Sequence, residues 1–323
     1  MAGIWPEWGP VKLAPPPSEL IEPGLRALKA VAHSDGHPHE LEHRFLNAAQ
    51  KYVLHSNIEL DGLGPIAPDE LAAAIPAGEY RERLVRAMIL VAVIDGEATQ
   101  HELDIIDAYS AALDVEGPPL RDLHRLVHQR FIMFRIDVLR RSFIGRKMKD
   151  VFETDGFKGL AKNLLAMLGK TDEEMAARYR ALEECADGTL GREYARFVRD
   201  NEFNFPGEKG GPPEAITFHD CTHVLGGYGT SAEEEVQVAA FQSGYWKRDP
   251  FFGLLFVLAQ FHLGVQITPL TEAEHMQADP ELMLKAFARG MEVKEDLSAG
   301  WDPWQHFSRP VDELRAELNI APR

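Results

Sequence analysis

Two histidines four residues apart, His219 and His223, form the pattern in this sequence that most directly suggests chemistry. On an α-helix such residues share one face, with Cβ atoms about 5–6 Å apart, so both imidazoles can bind one cation. Asp220 would lie about 100° further round the helix, where it could ligate the cation or orient a histidine. The spacing predicts a divalent metal site, although pairs of this kind also arise by chance in a chain with 13 histidines.

A carboxylate from the next helix could complete this site. Glycines at positions 226, 227 and 229 are expected to end the histidine helix, and a new helix is expected to begin in the Ser-Ala-Glu-Glu-Glu run at 231–235. Glutamates at a helix start also complement the helix dipole without binding metal. Imidazole and carboxylate together suit Zn²⁺, Fe²⁺ or Mn²⁺, so the ligand types leave the ion open.

An internal repeat with an offset of 60 residues occupies the N-terminal part of the chain. Asp35-Gly36 matches Asp95-Gly96, and Glu42 matches Glu102. In each copy an apolar helical pattern ends at Asp-Gly, a polar loop follows, and a second helical pattern begins near the glutamate. The repeat therefore predicts two helix–loop–helix units.

This repeat resembles the tellurite-resistance TerB-like family over about residues 24–115. Acidic residues of that family are associated with metal binding. The resemblance thus implies a second acidic site, made of Asp35, Glu42, Asp95 and Glu102. The alternative is structural, because Asp-Gly is ordinary turn chemistry and a glutamate three residues into a helix is ordinary capping.

The apolar periodicity predicts an all-α protein, with two helical domains joined by a long basic helix. Residues 1–23 contain six prolines and are predicted to form an extended arm. The TerB-like domain is placed at 24–118, the basic linking helices at 119–169, and the metal-binding domain at 170–323.

Composition excludes several classes of function. With 51 acidic against 34 basic residues and a net charge of −17, the chain repels nucleic-acid phosphate, so no nucleic-acid partner is expected. Two cysteines are too few for a disulfide framework. The start of the chain does not resemble a signal peptide, and the apolar run 251–265 is too short to span a bilayer. We expect a cytoplasmic location, with peripheral contact at the inner face of the cell membrane, for which the basic stretch 121–149 is a candidate.

The motif His219-Asp220-x-x-His223, followed after eleven residues by Glu235, resembles the metal motif of the fourth Coq protein family of ubiquinone (coenzyme Q) biosynthesis. The segments 188–197 and 314–320 also resemble that family, and the similarity covers about 170–320. It implies an all-helical fold with four ligands to a divalent metal, zinc or iron: His219, Asp220, His223 and Glu235. Where the family commonly has glycine before the ligand glutamate, this chain has Glu233 and Glu234, which could compete as ligands.

The same resemblance implies a lyase acting in ubiquinone biosynthesis. Its chemistry would lie at C1 of a polyprenylated hydroxybenzoate, where loss of the ring carboxyl is coupled to hydroxylation. Expected partners are the quinone precursor, other quinone-synthesis proteins, the membrane surface and a second copy of the chain. The alternatives are a non-catalytic lipid-binding scaffold of the quinone-synthesis assembly and a TerB-like metal or stress-response protein. No catalytic residue is assigned.

A polyprenyl tail needs an apolar groove, and the candidates are Phe252, Phe256 and Phe261. Plain core packing is the alternative use of these side chains. The adjacent His262 could act as an acid or base, or could be a structural histidine with satisfied hydrogen bonds.

Overall fold

The computed structural model describes residues 14–34, 36, 39–141, 171–246, 249–268 and 272–323. Within these ranges the regular elements are helices, together with two isolated β-bridges, which confirms the predicted all-α fold. Asp35, the first 13 residues of the predicted arm and positions 142–170 of the predicted linking region lie outside the described residues. None of the described helices combines the length and apolarity needed to cross a bilayer.

The helices are numbered here in chain order. In the N-terminal half they are α1 (Ser18–Ala32), α2 (Glu40–Ala48), α3 (Pro68–Ala74), α4 (Glu79–Val91), α5 (Gln100–Leu113), α6 (Pro118–Val127) and α7 (Phe131–Arg141). A π-helical segment, Ala49–Leu54, continues α2. After the gap they are α8 (Glu173–Arg180), α9 (Leu190–Asp200), α10 (Thr217–Gly226), α11 (Ala232–Tyr245), α12 (Pro250–Phe261), α13 (Pro280–Met291) and α14 (Val311–Leu318).

Contacts divide the chain into two compact units. The first unit comprises Met1–Asp137 and Ala239–Met291, and the second comprises Val138–Val238 and Glu292–Arg323. Residues 239–291 thus belong with the N-terminal half, whereas the sequence placed them with the metal-binding domain. Two ion pairs hold them there. Arg44 of α2 pairs with Asp279, the residue before α13, and Lys51 of the π-helical segment pairs with Glu281 of α13.

The start of α1 corrects the predicted arm. The helix begins at Ser18 and contains Pro23, so the prediction of extended structure is wrong for residues 18–23. A proline inside a helix removes one backbone hydrogen bond. Burial of Leu20, Ile21 and Leu25 offsets that loss, since each is at most 8% exposed.

Both copies of the repeat form a helix, a loop and a second helix, as the sequence predicts. Each second helix begins with a capping box. In α2 the backbone N–H of His39 donates to Glu42 Oε2 at 2.8 Å, and in α5 that of Thr99 donates to Glu102 Oε2 at 2.7 Å. The two glutamate side chains are each only 4% exposed. Their hydrogen bonds satisfy backbone N–H groups at the starts of α2 and α5.

An aromatic cluster forms the core of the second unit. Tyr179 of α8 and Tyr194 of α9 pack against rings from the C-terminal segment. The ring centroids of Tyr179 and Trp304 are 4.8 Å apart, and those of Tyr194 and Phe307 are 5.6 Å apart. The backbone of Gly191 also donates to the carbonyl of Phe307 at 2.8 Å. These contacts fix α9, which packs against α10, the helix that carries the two histidines.

Candidate metal centre

α10 holds His219 and His223 on one face, as their spacing predicts. The helix ends where Gly227 adopts a left-handed conformation with φ of 72°, and its N–H donates to the carbonyl of His223 at 2.8 Å. Arg315 of α14 donates to the carbonyls of Val224 and Leu225, both at 3.0 Å. The last turn of α10 therefore has its carbonyls satisfied and is held in place.

Ligand atoms of three side chains converge beside α10. The Nε2 atoms of His219 and His223 lie 3.2 Å apart. Glu235, in the first turn of α11, places Oε2 3.5 Å from the first of these nitrogens and Oε1 3.5 Å from the second. Within the described residues these side chains form a group able to hold a metal ion.

The separation of the two imidazole nitrogens is close to that expected around a tetrahedral cation. Ligand atoms bonded at about 2.0–2.1 Å to a tetrahedral ion lie about 3.4 Å from one another. The two Nε2 atoms are 3.2 Å apart, and each has a different carboxylate oxygen of Glu235 at 3.5 Å. Two nitrogens and one carboxylate would leave a fourth position open, the arrangement typical of catalytic rather than structural zinc sites.

His223 is prepared to act as a ligand. Its Nδ1 donates to the carbonyl of Gly229 at 2.9 Å, which fixes the tautomer with a lone pair on Nε2. The ring of Phe197 from α9 stacks on the imidazole with centroids 5.0 Å apart. Burial, reinforced by the neighbouring His219, lowers the pKa of His223 to about 4, so its imidazole is neutral at pH 7.

Glu235 and its neighbours are used differently. Burial disfavours the Glu235 carboxylate, but the hydrogen bond and charge of His219 outweigh it, and its pKa is lowered. Glu234 instead pairs with Arg323 at 2.6 Å, and Glu233 accepts from Gln237 at 3.4 Å. Of the three consecutive carboxylates, Glu235 is the one brought to the histidines.

Asp220 lies beside the three converging side chains but is not one of them. Burial raises the pKa of its carboxyl to about 6, the charge of His219 opposes that shift, and Glu235 adds to it. The hydroxyl of Tyr194, an electrostatic neighbour of Asp220, is buried near Thr217.

The predicted second acidic site is not brought together in the residues described. Glu42 and Glu102 are the capping residues of α2 and α5. Asp95 accepts the N–H of Glu97 at 3.0 Å, as in an ordinary Asx turn. Asp35 lies outside the described residues.

The predicted lipid-binding phenylalanines lie on α12. Phe252 and Phe261 are each 6% exposed, in keeping with core packing, and neither they nor Phe256 line the apolar cavity considered below. His262 is fully buried in the first unit. Its Nε2 meets the carbonyl of Ile94 at 2.8 Å and its Nδ1 accepts from Ala278 at 3.0 Å, so it serves a structural role.

Phe197, Arg315 and Arg323 position this site, but sequence reasoning gave them no role. Phe197 and Arg315 fall within the segments that carried the family resemblance, and that location was the available signal. Their contacts with α10 depend on tertiary packing, which spacing along a single helix does not encode.

Comparison with known proteins bears on this arrangement. The chain is 27% identical over 159 residues to the mitochondrial ubiquinone biosynthesis protein COQ4 homolog of Nematostella vectensis, a match that covers 44% of this chain and 69% of that protein. This chain is similar to a COQ4 homolog. No family model matches it, and the resemblance to TerB-like proteins stays a prediction.

Proposed function

We propose that this protein is a metal-dependent enzyme of ubiquinone biosynthesis that acts at C1 of a polyprenylated hydroxybenzoate. The observation that carries the proposal is the convergence of His219, His223 and Glu235 at separations of 3.2–3.5 Å. The similarity to a ubiquinone biosynthesis protein supports the pathway. Peripheral membrane contact, association with other quinone-synthesis proteins and self-association belong to the same proposal.

The residues of the site would hold a zinc or iron ion through two imidazoles and one carboxylate, with Asp220 as the adjacent acidic group. Such an ion supplies a Lewis acid for a ring carboxylate or phenolate, and iron, unlike zinc, also supplies redox chemistry. Replacing the ring carboxyl by a hydroxyl needs dioxygen or another oxidant, so hydroxylation requires the redox-active metal. Zinc would restrict the chemistry to decarboxylation.

The protein's own contribution is to hold these groups in place before substrate arrives. The carbonyl of Gly229 and the ring of Phe197 fix the imidazole of His223. Arg323 holds the neighbouring Glu234 aside. Asp220, with a carboxyl pKa of about 6, can hold or release a proton near neutral pH beside the site. Fixed groups of this kind need no reorganisation during reaction.

The test combines elemental analysis with turnover of a polyprenylated hydroxybenzoate. The wild-type protein should purify with stoichiometric zinc or iron, and His219→Ala and His223→Ala should lose both the metal and turnover. His101→Ala, an exposed histidine of α5, is the matched control and should change neither. Unchanged turnover in both site variants would disprove the proposed metal-dependent catalysis.

The scaffold alternative predicts a different outcome in the cell. If the protein catalyses the step, deletion of its gene should lead to accumulation of a carboxylated ring intermediate in extracted lipids. If it only assembles other enzymes, all late intermediates should be lost. Complementation by the His223→Ala variant would then separate the two, because a scaffold tolerates loss of the ligand and an enzyme does not.

A further inference from the structure

The first unit contains an apolar cavity of about 130 Å³ that is partly open at the surface. Its walls come from α1, the α2 region, α4, α12 and α13, and side chains that represent them are Leu25, Leu28, Phe45, Leu84, Leu254 and Phe287. Apolar side chains normally pack against one another, because apolar surface left in contact with water costs free energy in proportion to its area. An engineered apolar cavity of about 150 Å³ takes up benzene, so this cavity is large enough for part of a small apolar molecule.

One cation lines this otherwise apolar space. Arg83 of α4 donates through Nη2 to the carbonyl of Ala14 at 2.6 Å, and its guanidinium lies 5.6 Å from the ring centroid of Tyr80. No carboxylate in the described ranges lies within ion-pair distance of it, although Glu79 is near enough to favour its charge. Arg83 is half-buried, and this partial burial lowers the pKa of its guanidinium.

The other two arginines of α4 show that this situation is not general to the helix. Arg81 donates to the carbonyls of Ala72, Ile75 and Leu113, at 2.7–3.0 Å. Arg86 forms ion pairs with Glu82 and Asp249. Arg83 differs from both, because the described residues give it a single carbonyl acceptor, and most of its N–H donors are left for an anion.

We propose that this cavity binds a single-chain amphiphile, with its alkyl or isoprenoid tail in the apolar space and its anionic head, a carboxylate or a phosphate, on Arg83. None of the lining residues belongs to the metal-binding group, so the inference does not rest on the proposed function. Tyr80, which lines the same space, presents a hydroxyl able to donate a second hydrogen bond to the head group.

Calorimetric titration of the delipidated full-length protein with dodecanoate, dodecyl phosphate and dodecanol tests the head group. The two anions should bind more tightly than the alcohol, and their ranking identifies the head. Arg83→Gln should weaken anion binding by about tenfold to a hundredfold, the worth of a charge-assisted hydrogen bond, and leave dodecanol unchanged. Arg121→Gln, an exposed arginine of α6, is the matched control. Equal affinity for all three molecules, or no effect of Arg83→Gln, overturns the role of Arg83.

The tail is tested by chain length and by filling the cavity. Each methylene that enters apolar space should tighten binding by about fourfold until the cavity is full, after which affinity should level off. Ala87→Phe, which places a ring in the lining, should abolish binding, whereas Ala111→Phe on the exposed face of α5 should not. Absence of any chain-length dependence, or unchanged binding by a folded Ala87→Phe variant, overturns the proposal. His223→Ala should bind dodecanoate as the wild type does, so failure of the metal site is distinguishable from failure of the cavity.

Discussion

Glu102 in the first unit and Glu235 in the second both lie in the first turn of a helix, yet they do different work. Glu102 turns back on its own helix and accepts from the backbone N–H and the hydroxyl of Thr99, each at 2.7 Å. Glu235 turns away and faces two imidazole nitrogens from α10, each at 3.5 Å. The first distance is a close hydrogen bond, and the second leaves room for an ion between ligand atoms. A glutamate at a helix start can thus join a candidate metal site only when another helix supplies the other side chains.

The largest effect should come from removing the carboxylate of Glu235. We expect Glu235→Gln to weaken metal affinity by about a hundredfold or more, because a neutral amide replaces the only charged member of the converging group. Glu234→Gln is the matched control and should change affinity little, since Glu234 pairs with Arg323. Competition with a chromophoric chelator measures both. A larger loss in Glu234→Gln would make that residue the ligand and reverse the comparison.

A smaller effect is expected from removing the capping side chain at the start of α5. Thr99→Ala removes the side chain that accepts the N–H of Glu102 and should lower the free energy of unfolding by about 1 kcal/mol. Metal affinity should not change, because the cap and the converging ligands belong to different units. Denaturant titration and metal competition on the same preparation check the two expectations. Loss of metal from Thr99→Ala would show that the acidic residues of the repeat bind a cation after all.

The smallest expected effect is a pH dependence of the free energy of unfolding, caused by Asp95. Burial raises the pKa of its carboxyl, although the hydrogen bond from Glu97 opposes the shift. As pH rises above about 3.9, the unfolded chain releases this proton before the folded one does, so stability falls until the folded pKa is passed. Asp95→Asn keeps the acceptor oxygen and should lack that fall, making the variant the more stable protein at pH 7. Denaturation at pH 4 and pH 7 measures the difference.

A metal ion bound by Asp95 would reverse this difference in stability and make the wild type the more stable protein. If Asp95 ligated a cation, added Zn²⁺ or Mn²⁺ would stabilise the wild type by mass action and would not stabilise Asp95→Asn. Equal responses of the two proteins to added metal would leave His219, His223 and Glu235 as the ion-binding group.

The sequence predicted what depends on local periodicity. The shared face of His219 and His223 follows from helical spacing, and the two helix–loop–helix units follow from the repeat. Prediction was weaker at element ends, where α1 extends back to Ser18 through Pro23 because apolar burial outweighs the proline. The stacking of Phe197 on His223 and the pairing of Glu234 with Arg323 could not be derived, since both join helices distant in sequence. The assignment of 239–291 to the first unit could not be derived either, since it depends on contacts between helices distant in sequence.

The bonds from Arg315 to α10 have a consequence for the order in which the protein is made. Arg315 follows Leu225 by 90 residues, and synthesis at about 5–20 residues per second separates the two by roughly 5–18 seconds. During that interval the histidine helix emerges without the side chain that satisfies its last carbonyls. The end of α10 is therefore completed only after nearly all of the described chain has been synthesised, and we expect the proposed metal to bind late in folding.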